Sequence, residues 1–255
     1  MSSLDLWNAR AALGPEAGTR DRWAKHLELD TLKDLVRGPW ILDAGCGDGE
    51  TLTVLAKHVG AVVAVGVDFA PAMLTRARER APWHTWLRGD LLQPAHEWGL
   101  PADGTLFDSV YTERALINLP SWSAQEEAIW RLAALVAPKG QLVLLENTIE
   151  GLATLNELRA TVGLPPMTMP AHNQYVEAAK MRDLHLLGFK APREIRFSDW
   201  HYLISRVFHA FAAKEEGHEP AYDHPLNRVA LMASSSLPDC PIACGPGRLW
   251  ILERT

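Results

Sequence analysis

Three glycines at alternate positions, Gly45, Gly47 and Gly49, constrain this chain more than any other feature. An apolar run, Trp40 to Leu42, leads into Asp43 and reads as the end of a buried strand. Glycines at that spacing permit positive φ and leave no Cβ to hold a ligand away from the backbone. The next residues, Thr51 to His58, suit a helix whose first N–H groups face whatever lies against the turn. Strand, glycine turn and helix in that order open a nucleotide-binding α/β sheet.

Spacing and charge narrow the choice of nucleotide. The dinucleotide fingerprint is Gly-x-Gly-x-x-Gly, with a pyrophosphate at the helix terminus. Here carboxylates at Asp43, Asp48 and Glu50 surround the glycines, which disfavours a pyrophosphate and suits a ligand with cationic groups. The run from Asp43 to Gly49 resembles the first motif of the class I S-adenosylmethionine-dependent methyltransferases. The resemblance implies a Rossmann-like, seven-stranded, mostly parallel sheet with helices on both faces, and S-adenosylmethionine as cofactor.

Composition is compatible with that reading. A chain of 255 residues that is 47% hydrophobic can bury one large α/β core. The amino terminus lacks a basic segment followed by an apolar one, and no apolar run reaches the roughly 20 residues of a membrane span. A net charge of −6 argues against nucleic acid and anionic membranes as partners. Of three cysteines, Cys46 lies in the glycine turn, while Cys240 and Cys244 lack the second half of a zinc site, so no metal is expected. A reducing cytoplasm fits this usage, and self-association as a homodimer is left open.

In chain order, residues 1–37 read as two helices, the second from about Asp21, forming a lid with Trp7, Arg10 and the Gly18-Thr19 turn as candidates. Residues 38–148 form the cofactor-binding core. Val62 to Val67 is a second buried strand ending in Asp68, and Trp83 to Leu87 a third, leading to Asp90. Phe107 to Thr112 is the fourth strand, followed by Glu113 and Arg114. Ser123 and Glu126 suggest a capping box, Pro138 to Gly140 a helix end, and Gln141 to Glu146 a fifth strand. Beyond this, a helical stripe from Leu152 stops at Gly163. A loop, Met167 to Gln174, precedes a helix reaching about Leu187. Arg193 to Ser198 and Arg248 to Glu253 supply strands six and seven, with helix from Trp200 to Lys214 and no long periodic run from Glu215 to Gly247. Residues 149–173 and 200–247 are expected to be cap insertions within a single domain.

The resemblance implies a set of cofactor contacts: Asp43, Gly45, Cys46, Gly47 and Gly49 at the turn, Asp68 on the ribose hydroxyls, Phe69 and Met73 beside the adenine, Asp90 and Leu91 on its edge, and Thr112 at the fourth strand. A carboxylate at Asp68 also offers paired acceptors that no neutral side chain matches, although it could instead cap the helix opening at Pro71. Many small-molecule members carry histidine near Ile117 and Asn118, and this chain does not. Catalysis is therefore sought at Glu113, beside the methyl position, or at His172 in the proline-bounded loop. Arg114, Asn118, His172, Asn173, Tyr175 and His201 are the substrate-binding candidates. Duller roles exist for each, since Arg114 could simply pair with Glu113 and a loop histidine is often a brace.

The expected function is an S-adenosylmethionine-dependent methyltransferase acting on a small molecule by in-line displacement, leaving S-adenosylhomocysteine. Oxygen is the expected receiving atom, with nitrogen methylation or a non-catalytic regulatory cofactor-binding protein as alternatives. A nicotinamide dehydrogenase fits less well, because the glycine spacing differs and no Tyr-x-x-x-Lys pair follows the fifth strand.

Overall fold

A computed structural model describes residues 2–100 and 104–255. Its centre is a sheet of β1 (Trp40–Ala44), β2 (Val63–Asp68), β3 (Thr85–Arg88), β4 (Phe107–Glu113), β5 (Val136–Asn147), β6 (Arg193–Arg196) and β7 (Gly247–Glu253). The strand order is β3-β2-β1-β4-β5-β7-β6. The first five strands run parallel, and β7 enters antiparallel between β5 and β6. The chain therefore changes direction of winding between β1 and β4, where open α/β sheets leave a crevice for ligands.

Period-two alternation divides the strand side chains between two apolar layers. Leu42, Leu142, Leu144, Trp250 and Leu252 face one layer. Their neighbours Ile41, Val143, Leu145, Leu249 and Ile251 face the other. Helix α2 (Arg22–Lys33), preceded by α1 (Ser3–Arg10), covers the second layer through Leu32, together with α3 (Glu50–Val59) and α4 (Pro71–Arg80). Helix α5 (Trp122–Ala133) covers the first through Ala128, Ile129 and Leu132. Burial on both faces explains why these strands read as continuous apolar runs.

After β5 come α6 (Ile149–Thr161), the short α7 (Ala178–Arg182), α8 (Asp199–Tyr202), α9 (His209–Glu215) and α10 (Pro225–Ser236). Leu155 of α6 packs with Leu203, Val207, Cys240 and Cys244 in a satellite core. Between α8 and α9 the helix continues as a π-helical turn, Leu203–Phe208, a widening that is frequent at functional sites. No helix among the described residues is long and apolar enough to cross a membrane.

Several local expectations need correction. Ser121, not Ser123, caps α5 by accepting from the Ala124 N–H. Pro138 lies inside β5 rather than ending a helix, with Lys139 at φ 64°. The helix expected to reach Leu187 is only five residues long. The stretch from Glu215 to Gly247, where no long periodic run is legible, holds the 12-residue α10, begun by Pro225 at its first turn.

Glu146, at the end of β5, reads in the sequence as an ordinary strand-end carboxylate. It is fully buried, accepting from the Thr112 hydroxyl at 2.8 Å and from the Ala115, Leu116 and Ile117 N–H groups at 3.0–3.3 Å. Burial pushes its pKa up to about 7, against the pull of these donors. The carboxylate thereby fixes the turn after β4. Glu146→Ala is expected to cost about 3 kcal/mol, because buried donors are left without acceptors. Urea unfolding checks this, and a loss below about 1 kcal/mol would mean that the turn is held by other contacts.

Candidate cofactor and acceptor site

The carboxyl ends of β1, β2 and β4 open into a cavity of about 640 Å³, within the roughly 300–1,000 Å³ of small-molecule sites. The glycine turn forms its base. The N–H groups of Gly45 and Cys46 donate to the Val67 carbonyl at 2.8 and 3.0 Å, which ties the turn to β2. Gly47 has φ +53°, and a Cβ built there meets nothing within 4 Å. Gly49, by contrast, does not line the cavity: a Cβ there would lie 2.4 Å from the Trp86 ring, so its missing side chain serves packing at the start of α3.

Asp43 and Asp68 project from the ends of β1 and β2. Asp43 is buried beside the Tyr111 hydroxyl, and neither of its oxygens accepts a hydrogen bond of good geometry among the described residues. Burial, then the neighbouring Glu113 carboxylate, raises its pKa to about 8. An unpaired buried carboxylate facing a cavity needs a donor or cation from a ligand. Asp68 accepts from the Gly47 N–H and the Ala70 N–H, both at 2.8 Å. Burial raises it to about 6, with those donors pulling against it. It does not cap α4, whose N-cap residue is Ala70. One lone pair on each oxygen remains for a ligand. Cys46, Phe69, Met73, Asp90 and Leu91 line the same end of the cavity.

Thr112 is placed differently from expectation. Its side chain is fully buried, bonded to Glu146, and does not line the cavity. Its strand position, pointing away from the Glu113 side, explains this.

Glu113 lines the cavity but is locked in an ion pair. Lys25 of α2 donates to its two oxygens at 2.6 and 2.7 Å, and the Thr51 hydroxyl donates as well. Burial works to raise its pKa, but Lys25 and then Arg114 outweigh that and hold it low. A carboxylate kept so firmly ionised is poorly matched to proton abstraction near neutral pH. Glu113 therefore serves better as an anchor for Lys25 than as a base. Arg114 follows at φ +52°, a left-handed conformation uncommon outside glycine, and its Nε pairs with Glu28 at 3.2 Å.

The loop from Met167 lies over the β4–β5 side. The Gln174 N–H donates to the Ile117 carbonyl at 2.6 Å, and the Asn173 amide to Asn118 Oδ1 at 3.0 Å. Gln125 reaches from α5 to the Gln174 carbonyl at 2.7 Å. His172 meets Trp7 of α1 edge to face, with ring centroids 6.0 Å apart. Burial, and then the Arg10 charge, lowers its pKa. Arg114, Asn118, His172, Asn173 and Tyr175 thus converge on the cavity.

His201 does not join them. It is fully buried behind the wall, with Nε2 facing Asp21 Oδ2 at 3.0 Å. Arg206, in the π-helical turn, pairs with the same oxygen. Burial opposes ionisation of Asp21, but the His201 hydrogen bond and the Arg206 charge hold its pKa well below the usual range. The wall also contains Tyr202, and with it Lys25, Glu28, Arg206 and Tyr222, which the sequence did not single out. Only the Asp21–Lys25–Glu28 helical spacing in α2 hinted at a shared polar face.

Residues 41–140 match the family model for a methyltransferase domain. Residues 41–140 are thus a methyltransferase domain, similar to those of the class I S-adenosylmethionine-dependent methyltransferase family. A trans-aconitate 2-methyltransferase of Variovorax paradoxus is 31% identical over 166 residues, covering 63% of this chain and 59% of that one. A 2-phytyl-1,4-naphtoquinone methyltransferase of Thermosynechococcus vestitus is 31% identical over 129 residues, covering 48% and 52%. The chain therefore spans between half and three-fifths of the length of these two relatives. The magnesium protoporphyrin IX methyltransferase of Synechocystis superposes with a TM-score of 0.51 at 18% identity, over 92% of this chain and 82% of that one. A chain of the Haloferax volcanii complex between the Trm112 activator and a methyltransferase gives 0.61 at 20%, over 97% and 96%. These superpositions concern the fold.

S-adenosylmethionine is the family's cofactor, and the site fits it. The orphaned Asp43 carboxylate suits a cationic ligand, the open Gly47 face allows close backbone approach, and Asp68 keeps acceptor capacity for a pair of hydroxyls.

Proposed function

We propose that this methyltransferase domain acts on a small molecule that it methylates on oxygen. The observation that carries this reading is one continuous cavity with two unlike sides. The β2–β3 side presents Asp68, Phe69, Asp90 and Leu91, and the β4–β5 side presents Asn118, His172, Asn173 and Tyr175. Bound in the first, the cofactor supplies an electrophilic methyl carbon. The second is walled by polar and aromatic groups held on hydrogen-bonded loops, which can orient an acceptor and exclude water. Relatives named for small acceptors, trans-aconitate and a phytyl naphthoquinone, support the substrate class.

Calorimetry with S-adenosylmethionine against NAD, followed by turnover to S-adenosylhomocysteine with candidate acceptors, tests the reading. Tight NAD binding or cofactor binding without any turnover would sink it. His172→Ala and Asn173→Ala are expected to lower turnover or raise the acceptor's KM, while cofactor affinity stays within about threefold. If His172 takes part in proton transfer, the acidic limb of the rate profile lies below its ordinary pKa, since burial and Arg10 depress it, and the limb vanishes in the alanine variant. Equal losses in cofactor affinity and turnover would instead make the loop a cofactor lid.

A further inference from the structure

Helix α2 carries a carboxylate that neither the glycine turn nor the loop accounts for. Glu28 lines the cavity, is 8% exposed, its Oε2 accepts from no N–H or hydroxyl among the described residues, and its carboxyl lies within hydrogen-bonding reach of Glu113. Its Oε1 pairs with Arg114 Nε at 3.2 Å. The groups facing it are Lys25 on its own helix, Glu113 and Arg114 at the end of β4, and Tyr202 of α8. Lys25 is already committed to Glu113 at 2.6 and 2.7 Å, so the two acids stand unequally. Glu113 keeps the ammonium, and Glu28 is left beside that fixed negative charge, sharing a carboxyl–carboxyl contact with it and taking no N–H or hydroxyl on Oε2.

Resting on the methyltransferase reading, we propose that Glu28 is the general base, taking the proton of a hydroxyl acceptor through its Oε2. The acceptor's O–H electron pair stays on oxygen, which forms the new bond to the methyl carbon. The carbon–sulfur pair remains on the departing sulfur, and the proton ends on the Glu28 carboxylate. The substrate class follows: an acceptor that must shed a proton, a phenol or alcohol, rather than a carboxylate or carbon nucleophile. Carboxylates paired in unlike surroundings divide acid–base work in this way. Burial raises the pKa of Glu28, with Arg114 opposing and Glu113 adding to the rise, whereas Glu113 is held down by Lys25. Glu28 thus exchanges a proton near neutral pH while its neighbour does not.

The test follows glutamate carboxyl carbons by NMR in the full chain, free and with S-adenosylhomocysteine bound. One resonance is expected to titrate above the ordinary glutamate range, to vanish in Glu28→Gln, and to persist with S-adenosylhomocysteine bound, since a base must stay free beside the cofactor. Calorimetry should give Glu28→Gln the wild-type affinity for S-adenosylhomocysteine within about threefold, while methylation of a phenol that wild type accepts falls about 100-fold or more. Because Glu146 is also raised, two glutamates should titrate above the ordinary carboxylate range in wild type, and finding only one overturns the proposal without recourse to any variant. So does a resonance that S-adenosylhomocysteine locks in the ionised form together with a tenfold or larger affinity loss in Glu28→Gln, which would make Glu28 the counter-ion of the ligand's ammonium. Failure of wild type to bind S-adenosylhomocysteine would overturn the methyltransferase reading itself, an outcome that calorimetry separates from the glutamate titration.

Discussion

Asp68→Ala will weaken S-adenosylhomocysteine binding by about 2–3 kcal/mol, because charge-assisted hydrogen bonds to a pair of hydroxyls are lost. The structure adds a second cause. Asp68 also accepts from the Gly47 N–H at 2.8 Å, so the substitution loosens the turn on which the ligand lies. Asp68→Asn retains shape but directs an amide donor at one of the two backbone donors, Gly47 or Ala70, and should lose affinity too. Calorimetry on variants whose circular dichroism matches wild type measures both. Unchanged affinity in a folded alanine variant would remove Asp68 from the cofactor site.

Gly47→Val is expected to abolish cofactor binding while leaving a folded chain. At φ +53° a β-branched residue is strained, at a cost on the order of 1–3 kcal/mol. No protein atom lies within 4 Å of the added Cβ, so the side chain enters the cavity rather than the core. Gly49→Val provides the contrast. Its Cβ would run into Trp86 at 2.4 Å, so stability should fall together with affinity. Thermal melts alongside calorimetry separate the two variants. Near-wild-type affinity in Gly47→Val would show that the open face of the turn is not where the ligand rests.

The strand-end acids show what the linear pattern can carry. Asp43 and Asp68 were legible because each closes an apolar run at a sheet edge, a local arrangement that the family's motif also marks. Glu113 stands at the end of β4, as the strand pattern implies, but its ionisation is set elsewhere. Its pKa depends on Lys25, 88 positions earlier in the chain, and no local rule predicts that partner. His201 looked like a substrate ligand because histidine in an aromatic helix is conspicuous. The fold turns it toward Asp21, 180 positions away.

The sequence by itself determined the sheet core, since alternation, buried runs and glycine turns are enforced by nearest neighbours and by the backbone. It also marked the glycine turn, where steric freedom at a few consecutive residues is the whole requirement. Which carboxylates are paired, buried bare or held by backbone donors was decided only by the tertiary structure. Glu28, Glu113 and Glu146 are the same residue type, and nothing in the sequence shows which of them is paired. In the fold, one faces a cavity beside a committed ion pair, one takes the lysine, and one accepts four hydrogen bonds. Burial and charge act through space rather than along the chain, so their balance at each carboxylate exists only once α2, β4 and β5 have been brought together.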